Sequence, residues 1–252
     1  MELESATVLI TGGTSGLGAA AARLFAAKGA RVIVAGRRED RLAQMAHEFG
    51  PRGLPLQLDV RDAQAVAQAI KKLPAAFAAI DVLINNAGTG VGITPAQTAK
   101  LDDWIATVET NVSGVLAVTH AVLPGMIARN RGHILNLGST AAHNPQHALG
   151  VYSGSKAFLH NFTHSIRADL LGTDIRVSCL EPGFCESEFT ATRLGSIEAS
   201  REYYRGLKII SAKEIAEMLV WIVSLPAHIN VNVLEVMPVR QARGQYALAR
   251  AE

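Results

Sequence analysis

Cysteine is scarce in this chain: Cys179 and Cys185 are the only two in 252 residues. Two cannot staple a chain of this length, and their spacing matches no metal motif, so a reducing compartment, the cytoplasm, is the expected location. An excess of one charge is missing too, with 24 Lys and Arg against 22 Asp and Glu. No basic run breaks that balance, and a nucleic-acid partner is not expected. No uninterrupted apolar stretch approaches the roughly 18 residues that span a bilayer. The opening residues, Met1 to Ser5, are acidic where a signal peptide is basic, so no membrane partner is expected either. Repeats, low-complexity tracts and Pro/Gly/Ser linkers are also absent, which leaves 1–252 as a single expected domain.

What the chain does have is apolar residues, 49% of the total against 18% charged, enough for a large core. They fall into short β-branched runs alternating with Ala-rich helical segments. Val8–Ile10, Arg31–Ala35, Leu54–Leu58, Val82–Asn85, His133–Leu137, Arg176–Leu180 and Asn232–Val236 read as strands. Helical length and spacing fall near 16–28, 39–48, 62–71, 102–128, 152–170 and 212–224. Several strands are apolar throughout, as expected when both faces of a parallel sheet are covered. The pattern predicts an α/β fold, a doubly wound parallel sheet of Rossmann type with helices on both faces, and ligands beyond the carboxyl ends of its strands. Residues 184–208 have little regular pattern and predict a loop covering the site.

The first strand runs into Thr11-Gly12-Gly13-Thr14-Ser15-Gly16-Leu17-Gly18 and then a helix. Glycines let backbone approach a pyrophosphate, and the helix start offers unpaired N–H groups to the anion. At the end of the second strand, Gly36 stands where an NAD enzyme places a carboxylate, and Arg37 and Arg38 follow. Guanidinium groups match a ribose 2′-phosphate through forked hydrogen bonds, which favours NADP over NAD. Tyr152 and Lys156 are four residues apart on a predicted helix and share one face. A nearby ammonium lowers the pKa of a phenol from about 10 and fits it for proton transfer at neutral pH.

Together these segments resemble the short-chain dehydrogenases/reductases along almost the whole chain. Gly12-xxx-Gly16-x-Gly18 is similar to that family's TGxxxGxG turn, and Tyr152-Ser-Gly-Ser-Lys156 to its YxxxK signature. The resemblance implies a catalytic set of Asn111, Ser139, Tyr152 and Lys156. It implies a cofactor cradle of Gly12, Thr14, Ser15, Gly16, Leu17 and Gly18, with Asp59 and Val60 at the adenine. Asn86, Ala87 and Gly88 belong to the family's NNAG segment, and Pro182, Gly183 and Ser187 approach the nicotinamide. Tyr152 and Lys156 also reach the cofactor, and Asn111 joins a water-linked proton relay. NADP-preferring relatives often carry a base where this chain has Ser15, so its preference rests on the two arginines. A protein that merely senses NADP(H) has no need of the tyrosine–lysine pair.

Arg37-Arg38-Glu39-Asp40-Arg41-Leu42, Val122-Leu-Pro-Gly-Met126, Glu181-Pro-Gly183 and Leu225-Pro-Ala-His228 resemble the NADP-dependent serine and 3-hydroxy acid dehydrogenases, with sulfoacetaldehyde reductases as near relatives. That resemblance implies a small anionic hydroxy acid or aldehyde acid as substrate, and a homotetramer. Ser139 and Tyr152 would hold the substrate oxygen. Arg193, in a Glu-Phe-x-x-x-Arg segment, would pair with its anionic group, with Arg201, Arg205 and Arg240 in reserve. His160 and His164 have a zinc-compatible spacing, but no third ligand is evident along the sequence. Packing or a subunit interface is the expected use, and no metal is expected.

Overall fold

The computed structural model describes residues 1–92, 94–186, 190 and 195–243. Seven strands form one parallel sheet: β1 (Thr7–Thr11), β2 (Arg31–Gly36), β3 (Gly53–Gln57), β4 (Val82–Asn85), β5 (Gly132–Leu137), β6 (Ile175–Pro182) and β7 (Val233–Val236). Their order across the sheet is β3-β2-β1-β4-β5-β6-β7. Helices α1 (Gly16–Ala27), α2 (Glu39–Phe49) and α3 (Ala63–Lys71) and the short α4 (Ala75–Ala78) connect the first four strands. Then come α5 (Leu101–Val108), α6 (Gly114–Ala128), α7 (Gly150–Asp169), α8 (Ile197–Tyr203) and α9 (Ala212–Ser224). The doubly wound sheet expected from the sequence is present, with strand boundaries within two residues of the predicted ones.

Side chains of a strand alternate between faces, and the two cores show it. Val8 and Ile10 of β1 join α1, α2 and α9 on one face, with Phe25, Leu42, Leu219 and Val223. Leu9 points the other way, toward Val66 of α3 and Val118, Val122 and Met126 of α6. Winding outward from β1 in both directions leaves a crevice between the ends of β1 and β4, the switch point where ligands collect in such sheets.

One expectation needs correction. The 184–208 stretch is not wholly irregular, because α8 lies within it, its first turn capped by Ser196 accepting from the Ala199 N–H. Ser is a strong N-cap, a local signal overlooked among the mixed charges. As the helical spacing over 102–128 predicts, α5, a π turn at Glu109–Ser113 and α6 make one continuous helix, Leu101–Ala128, whose length and composition match a membrane span. It also carries the buried Asn111 and packs Val118, Val122 and Met126 into the core. Its outward side exposes Leu101, Ile105, Val108 and Leu116.

Candidate active site

The phosphate end is assembled from backbone. Gly12 and Gly16 have φ of +62° and +49°, left-handed values that glycine adopts without strain. Gly18 is tighter still: a Cβ there would lie 2.4 Å from Asn86 Nδ2 and 2.5 Å from the Gly12 carbonyl oxygen. Asn86 Nδ2 donates to the carbonyls of Thr11 (2.8 Å) and Gly12 (3.1 Å). The Thr11 hydroxyl accepts from the N–H groups of Asn86 and Ala87 at 3.1 and 3.0 Å. The turn after β1 is thereby locked to the start of the NNAG segment after β4. Thr11 and Asn86 are this lock, and the sequence pattern alone did not show Thr11's part in it.

Beyond the end of β2, Gly36 lies against Thr14, whose Cγ2 would be 2.9 Å from an added Cβ. The Arg38 guanidinium donates to Thr14 Oγ1 at 3.3 Å, and Arg37 and Arg38 are both exposed at the cavity mouth. Asp59 forms a paired contact with Arg61, Nε to Oδ1 at 3.0 Å and Nη2 to Oδ2 at 2.6 Å. That guanidinium holds the Asp59 carboxyl below its usual range. Arg61 is thus a third arginine on this side, missed because it follows a strand end rather than a motif.

A cavity of about 480 Å³ runs from this cradle past Asn86–Gly88 to Ser139, Tyr152, Lys156, Pro182 and Gly183. Lys156 is buried on α7, its Nζ donating to the Leu137 carbonyl at 2.7 Å and lying 5.7 Å from the centre of the Tyr152 ring. Burial lowers its pKa to about 8, because the ammonium loses water there. Asn111 sits in the π turn, a feature frequent at functional sites. Its Nδ2 donates to the Thr89 carbonyl (2.8 Å) and to Ser155 Oγ (2.9 Å), and its Oδ1 accepts from the Thr89 N–H (2.8 Å). Neither Thr89 nor Ser155 stood out in the sequence. Ser139 caps a short 3₁₀ turn, Thr140–Ala142, its Oγ accepting from the Ala141 N–H at 3.2 Å.

On the substrate side, Gln241 ties the C-terminal segment to the turn after β6. Its Oε1 accepts from the Phe184 N–H at 2.8 Å, and the Gly183 N–H reaches the Val236 carbonyl at 2.7 Å. Phe184, Tyr203 and Tyr204 stack edge to face with ring centres 5.2–6.1 Å apart. Arg205 is paired with Glu202. Burial pushes the Cys185 thiol up to about 12, so it is no nucleophile. Ser187 and Arg193 lie outside the described residues.

The residues present fit a dinucleotide phosphate: a glycine turn too tightly packed for a Cβ at Gly18, a helix start behind it, and two exposed arginines beside it. Residues 6–196 match the family described as short chain dehydrogenase. The chain belongs to that family. Serine 3-dehydrogenase of Agrobacterium fabrum is 44% identical to this short-chain dehydrogenase over 98% of the chain and 99% of its own length. Sulfoacetaldehyde reductase 2 of Chromohalobacter salexigens is 46% identical, with 96% and 98% covered. Among solved structures, the closed form of serine dehydrogenase complexed with NADP+ superposes with a TM-score of 0.92 at 40% identity, covering 98% of this chain and 99% of that one.

Proposed function

We propose that this short-chain dehydrogenase is an NADP(H)-dependent oxidoreductase acting on the alcohol or aldehyde carbon of a small 3-hydroxy acid. The observation that carries the reading is that Tyr152 and Lys156 open onto the same cavity as the glycine cradle and Arg37 and Arg38. NADP(H), held by the glycine turn with Arg37 and Arg38, would supply the hydride in reduction and accept it in oxidation. Tyr152 gives its phenolic proton to the substrate oxygen in reduction and takes the hydroxyl proton in oxidation. The Lys156 ammonium stabilises the phenolate and reaches the nicotinamide ribose. Ser139 steadies the substrate oxygen by a hydrogen bond. With its side-chain amide committed to Thr89 and Ser155, Asn111 serves the proton relay as a positioning residue that holds the π turn in place. In this reading Ser187 would hold the nicotinamide carboxamide, Asp59 and Val60 would line the adenine end, and the 184–208 stretch would cover the substrate.

The relatives bearing the names serine 3-dehydrogenase and NADP-dependent 3-hydroxy acid dehydrogenase support the carboxylate reading. The 46% identical sulfoacetaldehyde reductase supports a second one, in which a sulfonate replaces the carboxylate. The exposed Leu101, Ile105, Val108 and Leu116 stripe favours burial between copies, in keeping with a cytoplasmic homotetramer. Steady-state assays of malonic semialdehyde, sulfoacetaldehyde, serine and 3-hydroxypropionate with both nicotinamide cofactors test the reading. The highest kcat/KM is expected for a carboxylate substrate with the phosphorylated cofactor. Preference for sulfoacetaldehyde selects the second reading, and no turnover of any of the four rejects both.

A further inference from the structure

A second group of chemistry-bearing side chains lies behind the catalytic one. Glu181, the penultimate residue of strand β6, is fully buried, and no lysine or arginine lies within ion-pair distance of it among the described residues. Its two oxygens are each met by one imidazole instead. His143 Nε2 lies 2.9 Å from Oε2, and His160 Nδ1 lies 2.9 Å from Oε1. Among the described residues the other polar contact is the Cys179 thiol, donating to Oε1 at 3.5 Å. The two rings meet edge to face at 4.4 Å, and His164 stacks behind His160 at 4.7 Å. None of the three residues lines the cofactor cavity.

We propose that His143, His160 and Glu181 form a binding site for a divalent metal of the zinc class. One donor atom from each lies within 4.8 Å of the others. A tetrahedral ion with bonds of about 2.0–2.1 Å needs neighbouring donors about 3.3 Å apart. The two nitrogens each lie 2.9 Å from a different oxygen of the same carboxylate, and a rotation of His143 would bring its nitrogen to the shared ion. That side chain has the freedom, being 31% exposed, while His160 is 22% exposed and the carboxylate beneath them is not exposed at all. The open side gives the ion a way in and leaves a fourth position for water.

The ligand chemistry is specific. Two imidazoles and one carboxylate suit Zn²⁺, Co²⁺, Ni²⁺ or Cu²⁺, whereas Mg²⁺ and Ca²⁺ prefer all-oxygen shells. On binding, the ring nitrogens that face Glu181, Nε2 of His143 and Nδ1 of His160, would give up their protons in favour of the ion, and each imidazole would carry its proton on the other nitrogen. A buried carboxylate gains more from a cation than an exposed one, because the low dielectric strengthens the attraction. Three separate parts of the chain would be joined: the turn that begins at Ser139, the helix that carries Tyr152 and Lys156, and the strand that ends at Pro182. The ion would therefore be a brace for the catalytic group and not a participant in hydride transfer. Sequence spacing pointed to His160 with His164, but the strand end and the 3₁₀ turn supply the other two ligands.

The test uses the full chain stripped with a chelator and dialysed. Titration with Zn²⁺ should show one ion per chain and, at a hundredfold excess over Kd, raise Tm by about 5–10 °C. Mg²⁺ should do neither. The His143→Gln and His160→Gln variants should each weaken Zn²⁺ binding at least tenfold, whereas His164→Gln should leave it unchanged. Co²⁺ added to the unaltered protein should give the visible bands of a tetrahedral site, a readout that needs no variant. Absence of Co²⁺ bands, a Zn²⁺ stoichiometry near zero, or full binding in the His143→Gln/His160→Gln double variant would each overturn the proposal.

Discussion

The two ends of the cavity are built on different principles. At the phosphate end, the shape comes from glycine backbone, fixed by contacts that leave no room for a methyl group, as at Gly18. At the substrate end, the shape comes from side chains on a segment that leaves the sheet after Pro182 and is anchored by Gln241 and the Phe184–Tyr203–Tyr204 cluster. The first end can serve any substrate of a dinucleotide enzyme. The second can change its side chains without disturbing the sheet, and on the proposed reading it is where substrate identity would be set. Tyr152 and Lys156 stand at the junction.

The junction offers the largest effect. Tyr152→Phe should lower kcat by roughly 10²–10⁴, the usual worth of a positioned proton donor, while the NADPH Kd in a fluorescence titration changes only slightly. Substantial single-turnover activity in that variant would remove Tyr152 from the reaction. Breaking the phosphate end comes next. Gly18→Ala should cost about 1–3 kcal/mol by overpacking and depress cofactor affinity. Gly154→Ala, with open space at its Cβ on α7, should be neutral or raise Tm slightly. Equal Tm values for the two would contradict the tight cradle.

The remaining contrasts separate the ends by ligand. Replacing Arg37 and Arg38 with alanine should shift the NADPH/NADH ratio of kcat/KM by one to two decades, since a hydrogen bond to a charged group is worth about 1.5–3 kcal/mol. An unchanged ratio would assign the 2′-phosphate to another group, with Arg61 the nearest alternative. Arg193→Ala should raise KM for malonic semialdehyde while a neutral aldehyde of similar size is reduced almost as before. Equal losses on both would make Arg193 part of the loop's framework.

The smallest effect concerns the sheet beneath both ends. His133 is wholly buried, and desolvation followed by the nearby Arg176 charge pushes its pKa well below the ordinary value of 6.5. The unfolded chain takes up a proton as pH falls below 6.5 while the folded one does not, so stability is lost in that direction. The slope should approach, and not exceed, about 1.4 kcal/mol per pH unit for this one proton. Thermal melts of the protein and of His133→Gln between pH 7 and 5.5 should show a flatter dependence in the variant.

Much of this architecture was legible because its signals are local. The β1 strand announces itself by an apolar run, and the turn after it by glycines at positions where no other residue fits. The Tyr152/Lys156 pair follows from helical spacing. What escaped was contact between distant segments. Thr11 is an ordinary strand-end threonine until Asn86 and Ala87 are brought to it from 75 and 76 residues away. Gln241 gives no hint of its role at the Phe184 amide, 57 residues back. His143 and Glu181 look unremarkable until the sheet brings them to His160. Helix α8 was missed for a different reason: it is about two turns of mixed charge, too short for periodicity to emerge.

The π turn at Glu109–Ser113 has a consequence for protein engineering. Such a turn holds one residue more than an α-helical turn, and each residue of an α-helix advances the azimuth by about 100°. Deleting a single residue there would heal the helix into regular geometry and swing one half around relative to the other. Leu101, Ile105 and Val108 would no longer face the same way with respect to Val118, Val122 and Met126. The shortened helix would be better formed as a peptide and worse placed as a part, a case in which local idealisation works against the molecule.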